Sequence, residues 1–275
     1  MPWLVSSQLS PLSLSPSQRH CERTAFAFYC AVRDQEPVWV LEDMRTMEVF
    51  CWDGGRPRAF EPSDALLYSL VHDHRDYARY LLHRFSVSAL RAPCCSFCFS
   101  SGGSPHLSVA VRYNRLDILT LMAEVLQVLP EAERRAYLDR CSGCFHLSDG
   151  GKTAVQLGVE LVRPDCLLLL LVHGARPDGL EAALRRLEAA EGAELRHARR
   201  CLDLLLLFMP EPPTGPPCLK EEPQRWQSLL GNEVFDWLSG SAPPSLLLQA
   251  LRTLARSVPG QIADLPDRLH PQSCQ

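Results

Sequence analysis

Two short stretches put sulfur at metal-ligand spacing. "CCSFC" holds Cys95 and Cys98 in a C-x-x-C step, and "CSGCFH" repeats the step with Cys141 and Cys144, followed by His146. Two such pairs can close a tetrahedral thiolate zinc site. Zinc modules usually separate their pairs by ~15–20 residues, whereas 42 residues lie between Cys98 and Cys141. The candidates Cys95, Cys98, Cys141 and Cys144 therefore read as thiols on loops, and a chain without metal or cofactor is expected. A third run, "VHDHRDYARY", gathers His72, Asp73, His74 and Asp76. Set between two apolar periodic segments, it reads as a turn whose His and Asp side chains satisfy exposed amides. No phosphate-binding loop, nucleophile elbow or H-E-x-x-H step occurs, so a non-catalytic protein is expected.

A fourth stretch, "PPSLLLQALRTLARS" at 243–257, carries recognition chemistry instead. Two prolines stop the chain, Ser245 is placed to cap the first amides of a helix, and Leu246 opens it. At ~100° per residue Leu246, Leu247, Ala250, Leu251, Leu254 and Val258 share one arc, with Gln249, Arg252, Thr253 and Arg256 on the other side. That stripe has to be buried, either in the protein's own core or in another protein.

The elements around these stretches read as helical. A chain of 275 residues, 46% of them hydrophobic, can bury a substantial core. Its net charge is −4 with Lys and Arg scattered, which leaves no footprint for nucleic acid or an anionic membrane. The longest apolar runs, at 166–172 and 204–209, fall short of the ~20 residues that cross a bilayer. The leading stretch has no basic start and is broken by Pro and Ser, so residues 1–21 read as a disordered tail and not a signal peptide. The 12 cysteines are then expected in a reducing compartment, the cytosol. Lysine occurs only at 152 and 220, beside 26 arginines. A GC-rich coding sequence, which also explains the Ala, Leu and Pro excess, accounts for that bias; it also suits a chain that must escape modification of its own amines, since guanidinium stays protonated and unreactive.

The N-terminal helices are placed at 22–60, divided at Pro37 and closed by a turn at Gly54 and Gly55. Helix pairs follow over 61–209, with Ser63 and Asp64 as caps of the first. The clearest pair, "GGKTAVQLGVELVRPDCLLLLLVHGARPD", resembles an ankyrin repeat through Thr153, Val155, Gly158, Val159, Leu170, Leu171, Gly174 and Ala175. "PHLSVAVRYNRLDILTLMAEV" matches through Leu107, Ala110, Val111, Asn114, Asp117, Ile118 and Leu119, and a fainter copy lies at 64–85. Equivalent positions Leu67, Leu107 and Val155 are 40 and 48 residues apart instead of ~33, so loops are inserted between repeats. The expected fold is all-α: a short degenerate ankyrin solenoid with a concave side for partners. "GLEAALRRLEAAEGAELRHARRCLDLLLLF" reads as an irregular fourth unit divided near Gly192. The proline-dense stretch at 210–222 reads as a connector and domain boundary, leaving a C-terminal helical segment at 223–275.

Within that segment, Ser245, Leu246, Ala250 and Leu254 resemble the elongin-binding BC-box. Ankyrin repeats followed by such a box resemble the cullin-RING substrate receptors that carry a SOCS box. The resemblance implies a substrate-recognition subunit that binds elongin B and elongin C. It also implies a cullin, cullin 5 or cullin 2, for which "DLPDRL" offers Leu265 and Pro266 with Asp267 and Arg268 where a second Leu/Pro pair belongs. "FAFYCAVRDQEPVWVLEDMR", "ALLYSLVHDHRDYARYLL", "AVRYNRLDIL" and "RWQSLL" narrow the resemblance within that class. They imply IMP dehydrogenase as the client for ubiquitination and degradation. The alternative is an ankyrin scaffold whose C-terminal helix caps its own core and which binds a partner without ubiquitination.

Overall fold

The computed structural model describes residues 16–47, 51–53, 56–91, 105–141, 151–210 and 216–259. The chain divides into two compact units, one up to Ala154 and one from Val155. Among the described residues the regular elements are helices, apart from a hairpin in which β1 (Cys51–Asp53) pairs antiparallel with β2 (Arg56–Arg58).

In the first unit, α1 (Pro16–Arg33) and α2 (Val38–Met47) precede the pairs α3 (Pro62–His72) with α4 (Arg75–Phe85) and α5 (Pro105–Arg112) with α6 (Leu116–Leu126). α1 starts at Pro16, inside the tail expected over 1–21. α3 is capped at Glu61 and not at Ser63 or Asp64. Pro62 takes the first helical position, where its missing amide costs nothing, and Asp64 Oδ2 accepts the Glu61 amide at 3.1 Å.

One turn recurs. Gln35, Asp73, Asn114 and Val162 adopt left-handed φ of 61°, 57°, 54° and 53°. The next amide in each case reaches back five residues: Glu36 to the Ala31 carbonyl at 3.0 Å, His74 to Ser69 at 3.0 Å, Arg115 to Ala110 at 2.8 Å and Arg163 to Gly158 at 2.8 Å. This closure satisfies the orphan carbonyls at the end of the first helix and aims the second one. The N-terminal pair α1 and α2 therefore carries the same turn as the repeats, although its sequence reads as a separate element.

Successive turns are tied together by side chains. His74 Nδ1 accepts the Tyr77 amide at 3.3 Å, which leaves Nε2–H to donate to the Glu36 carbonyl at 2.9 Å. Arg115 donates from Nε and Nη2 to the Leu70 and Val71 carbonyls, both at 2.9 Å. The run His72–Asp76 is thus a polar turn, as its composition implies. Under it lies an aromatic core in which the Phe28 ring sits 5.5 Å from Phe60, 6.0 Å from Tyr68 and 6.4 Å from Tyr77. Above that core Glu42 accepts from Tyr77 Oη at 2.8 Å and pairs with Arg45 at 2.7 Å. Those bonds hold the Glu42 carboxyl below its ordinary range despite the opposing effect of burial.

Two expectations fail in this unit. The inserted stretches are not all loop: Ser86–Leu90 forms a 3-10 turn that buries Ala89 and Leu90, and α7 (Glu131–Leu138) buries Tyr137 and Leu138. No open side runs along α3 or α5 either. Every residue of α5 from Pro105 to Val111 is buried, and α3 exposes none of its residues.

The second unit contains α8 (Ala154–Glu160), α9 (Pro164–Val172), α10 (Leu180–Ala189), α11 (Gly192–Phe208), α12 (Cys218–Glu221), α13 (Pro223–Leu230), α14 (Asn232–Ser239) and α15 (Leu246–Ser257). Gly192 opens α11 at φ 56°, so the charged-apolar run divides near it as its spelling suggests. α11 is the centre: residues 201–207 are all buried, and α9, α10 and α15 pack on it. Because α15 lies on α11, the compact units do not divide at the proline-rich stretch 210–222. Part of that stretch is itself structured, with Pro216 and Leu219 buried and α12 formed from Cys218.

Candidate functional site

α15 begins as expected. Ser245 is the N-cap, its side chain accepting the Leu248 amide at 3.3 Å, and Gln249 Nε2 donates to the Pro244 carbonyl at 2.8 Å. The helix faces differently from the single stripe read off the sequence. Leu248, Leu251, Arg252 and Ala255 are buried, whereas Leu246 is 84% exposed, Leu247 and Val258 are exposed, Ala250 is exposed and Leu254 is half-buried.

Arg252 explains the rotation. Assigned to the water side on its charge, it is only 8% exposed. Its guanidinium stacks over the Trp237 ring, 4.9 Å from the centroid, and its Nη2 donates to the Met209 carbonyl at 2.7 Å. Arg256 Nη2 donates to the same carbonyl at 3.1 Å and to that of Pro210. Both arginines thus sit on the carbonyl end of α11, the negative pole of that helix. Burial, reinforced by Arg256, lowers the Arg252 pKa.

The four BC-box positions therefore fall together: a cap at Ser245, an open knob at Leu246, a small open position at Ala250 one turn later, and Leu254 at the margin of the buried face. Such a surface can do no bond chemistry. It offers apolar area and a preformed helix, which is what a groove on another protein binds.

The remaining candidates are scattered or lie outside the described residues. Leu265, Pro266, Cys95, Cys98 and Cys144 are outside them, and Cys141 is exposed. No group of three metal-ligating side chains occurs among the described residues. Cys166 and Cys201 are buried, which pushes their thiols up to about 11 and 12 and leaves them un-ionised at neutral pH. Protein purified without added metal is expected to hold no stoichiometric zinc by elemental analysis. About one zinc per chain, lost on replacing Cys95 and Cys141 by Ser, would establish a site instead.

Helix pairs joined by the recurring turn, stacked and bonded turn to turn, with an amphipathic helix and no catalytic constellation among the described residues, define an ankyrin-repeat protein, a class that works by binding other proteins. The chain is 43% identical over 288 aligned positions to mouse (Mus musculus) ankyrin repeat domain-containing protein 9, covering 92% of this chain and 88% of the relative. It belongs to the ankyrin repeat domain-containing protein 9 family. No family model matches the chain, and no solved structure matches it.

Proposed function

We propose that this protein is the substrate-recognition subunit of an elongin B/C-linked cullin-RING ubiquitin ligase, working in the cytosol without chemistry of its own. One observation carries the reading: α15 is held by Leu248, Leu251, Ala255 and two arginines, yet turns Leu246 and Ala250 outward from a helix already capped at Ser245. A helix that is pre-ordered before docking loses less conformational entropy on binding, so a small apolar contact suffices. Leu265 and Pro266 would meet cullin 5 or cullin 2. The client, IMP dehydrogenase by resemblance, would be held by the repeats. With α3 and α5 covered, the open positions of these two pairs belong to the second helices and turn tips, such as Arg75, Arg79, Tyr113 and Asp117. A second reading, a scaffold that does not ubiquitinate, draws on the buried face of α15, which a private cap would also have.

The test is purification of the tagged full chain from cells, with mass spectrometry of what accompanies it. Elongin B, elongin C and a cullin are expected in near-stoichiometric amounts, together with a client that accumulates when the proteasome is blocked. A client recovered in quantity without elongin would favour the scaffold.

A further inference from the structure

α15 has two apolar faces and can bury only one of them on α11. At ~100° per residue Leu248, Leu251 and Ala255 are centred more than a quarter-turn from Leu246, Leu247 and Ala250. Leu254 lies half-buried at the edge between the two faces, and a setting that turned the open face in would cover Leu246, Leu247, Ala250, Leu251 and Leu254, five apolar side chains against the three now buried. Burial of apolar area alone favours the opposite rotation. Something other than hydrophobicity therefore sets the helix as it is.

We propose that Arg252 is the positioning residue that sets this rotation, so that the docking face stays open. In the observed setting its guanidinium lies on Trp237 and, with Arg256, saturates the Met209 carbonyl at the end of α11. Turning the larger apolar face inward would swing both arginines into solvent and strip the Met209 carbonyl of both donors. A carbonyl left unpaired in a partly buried site is unfavourable, and the pull of the helix end on the cations is lost with it. A lysine could supply one donor but neither the flat stack nor the fork. The consequence for docking rests on the reading of α15 as an elongin-binding helix. The rotation itself does not.

The experiment reads the rotation directly in the full chain. L246C and L248C are made separately, each with and without R252A, and maleimide labelling at positions 246 and 248 is followed by residue-resolved mass spectrometry. With Arg252 present, the thiol introduced at position 246 is expected to react at least tenfold faster than the one at position 248. With R252A the order should reverse, position 246 slowing as position 248 speeds up. Opposite changes are the signature, because loss of mere structural support would speed both. An unchanged order, or a joint rise, overturns the proposal. Should R252A fail to fold, R256A removes one of the two donors and is expected to narrow the ratio several-fold; an unchanged ratio there also overturns it. Labelling involves no elongin, so this failure is distinguishable from failure of the docking function, which only capture of elongin reports.

Discussion

Chain carrying L246R and A250F together is expected to lose elongin B and C below detection in co-precipitation, while it stays folded and retains its client. The folding half follows from exposure. Leu246 is 84% exposed and Ala250 lies on the same open face, so arginine and phenylalanine there meet water, and surface changes of this kind fall within ~0.5 kcal/mol. The binding half follows from what the groove would meet. An apolar pocket that accepts a leucine knob must desolvate a guanidinium with no partner, and a phenyl ring where an alanine allowed close approach forces the helices apart. Single truncations calibrate the result. L246A should leave stability nearly unchanged, whereas L248A, at a position 5% exposed, should cost ~2–5 kcal/mol through the cavity it leaves. Elongin retained by the double variant sinks the docking-helix reading. Loss of elongin and client together would mean that α15 supports the fold at large and is no separate docking element.

What can be read in the sequence is whatever a local rule dictates. Pro37, Gly192 at the start of α11 and the prolines before Ser245 each mark a helix boundary that the structure has, because these residues act through their own backbones. The first pair of helices is legible as helices but not as a copy of the repeat. Its left-handed turn residue is Gln35, where Asn114 and Asp73 elsewhere are types that tolerate this conformation, and Val162 at the fourth turn is a type that resists it. The turn is therefore imposed by the stack more than by its own residue. α7 is not legible because half of "EAERRAYL" is charged and it buries only its last two side chains. The rotation of α15 is misjudged from sequence for one reason: a charged side chain is taken to mark the wet face, and the ring of Trp237 and the end of α11, which make a home for Arg252, are brought to it only by the fold.

That same device recurs, and it gives the arginine bias a structural account alongside the two the composition suggested. Arg115 caps the end of α3 through the Leu70 and Val71 carbonyls, Arg199 caps α13 through Leu229 and Leu230, and Arg252 with Arg256 caps α11. Each guanidinium in the first two cases spans two successive carbonyls, which a single ammonium does less well. A helix end leaves several orphan carbonyls, and a forked donor that is charged at every physiological pH settles two of them at once.

The other large effect is a dependence on acid that one buried imidazole should dominate. His106 is completely buried in α5, where Nε2 bonds the Ser63 carbonyl at 2.8 Å and desolvation drives its pKa down from 6.5 to about 4. Between those two values the unfolded chain holds a proton that the folded chain does not. Stability is therefore complete above about pH 6.5, falls as pH drops toward 4, and loses nothing more from this group below that. With ~1.4 kcal/mol per pH unit, about 2 kcal/mol should be lost between pH 7 and pH 5. That window lies above the one in which Glu42 and Asp34 matter, since their lowered pKa values withdraw stability only as pH falls below the ordinary carboxylate range. H106Q keeps an amide donor able to reach the Ser63 carbonyl but cannot titrate. Urea unfolding of both proteins at pH 7 and pH 5 is expected to show the variant weaker at pH 7, through imperfect packing, and much less dependent on pH across the interval, the remainder being carried by His72, whose pKa burial also lowers from 6.5. Parallel losses in parent and variant would mean that the neutral state of His106 is not what acid destroys.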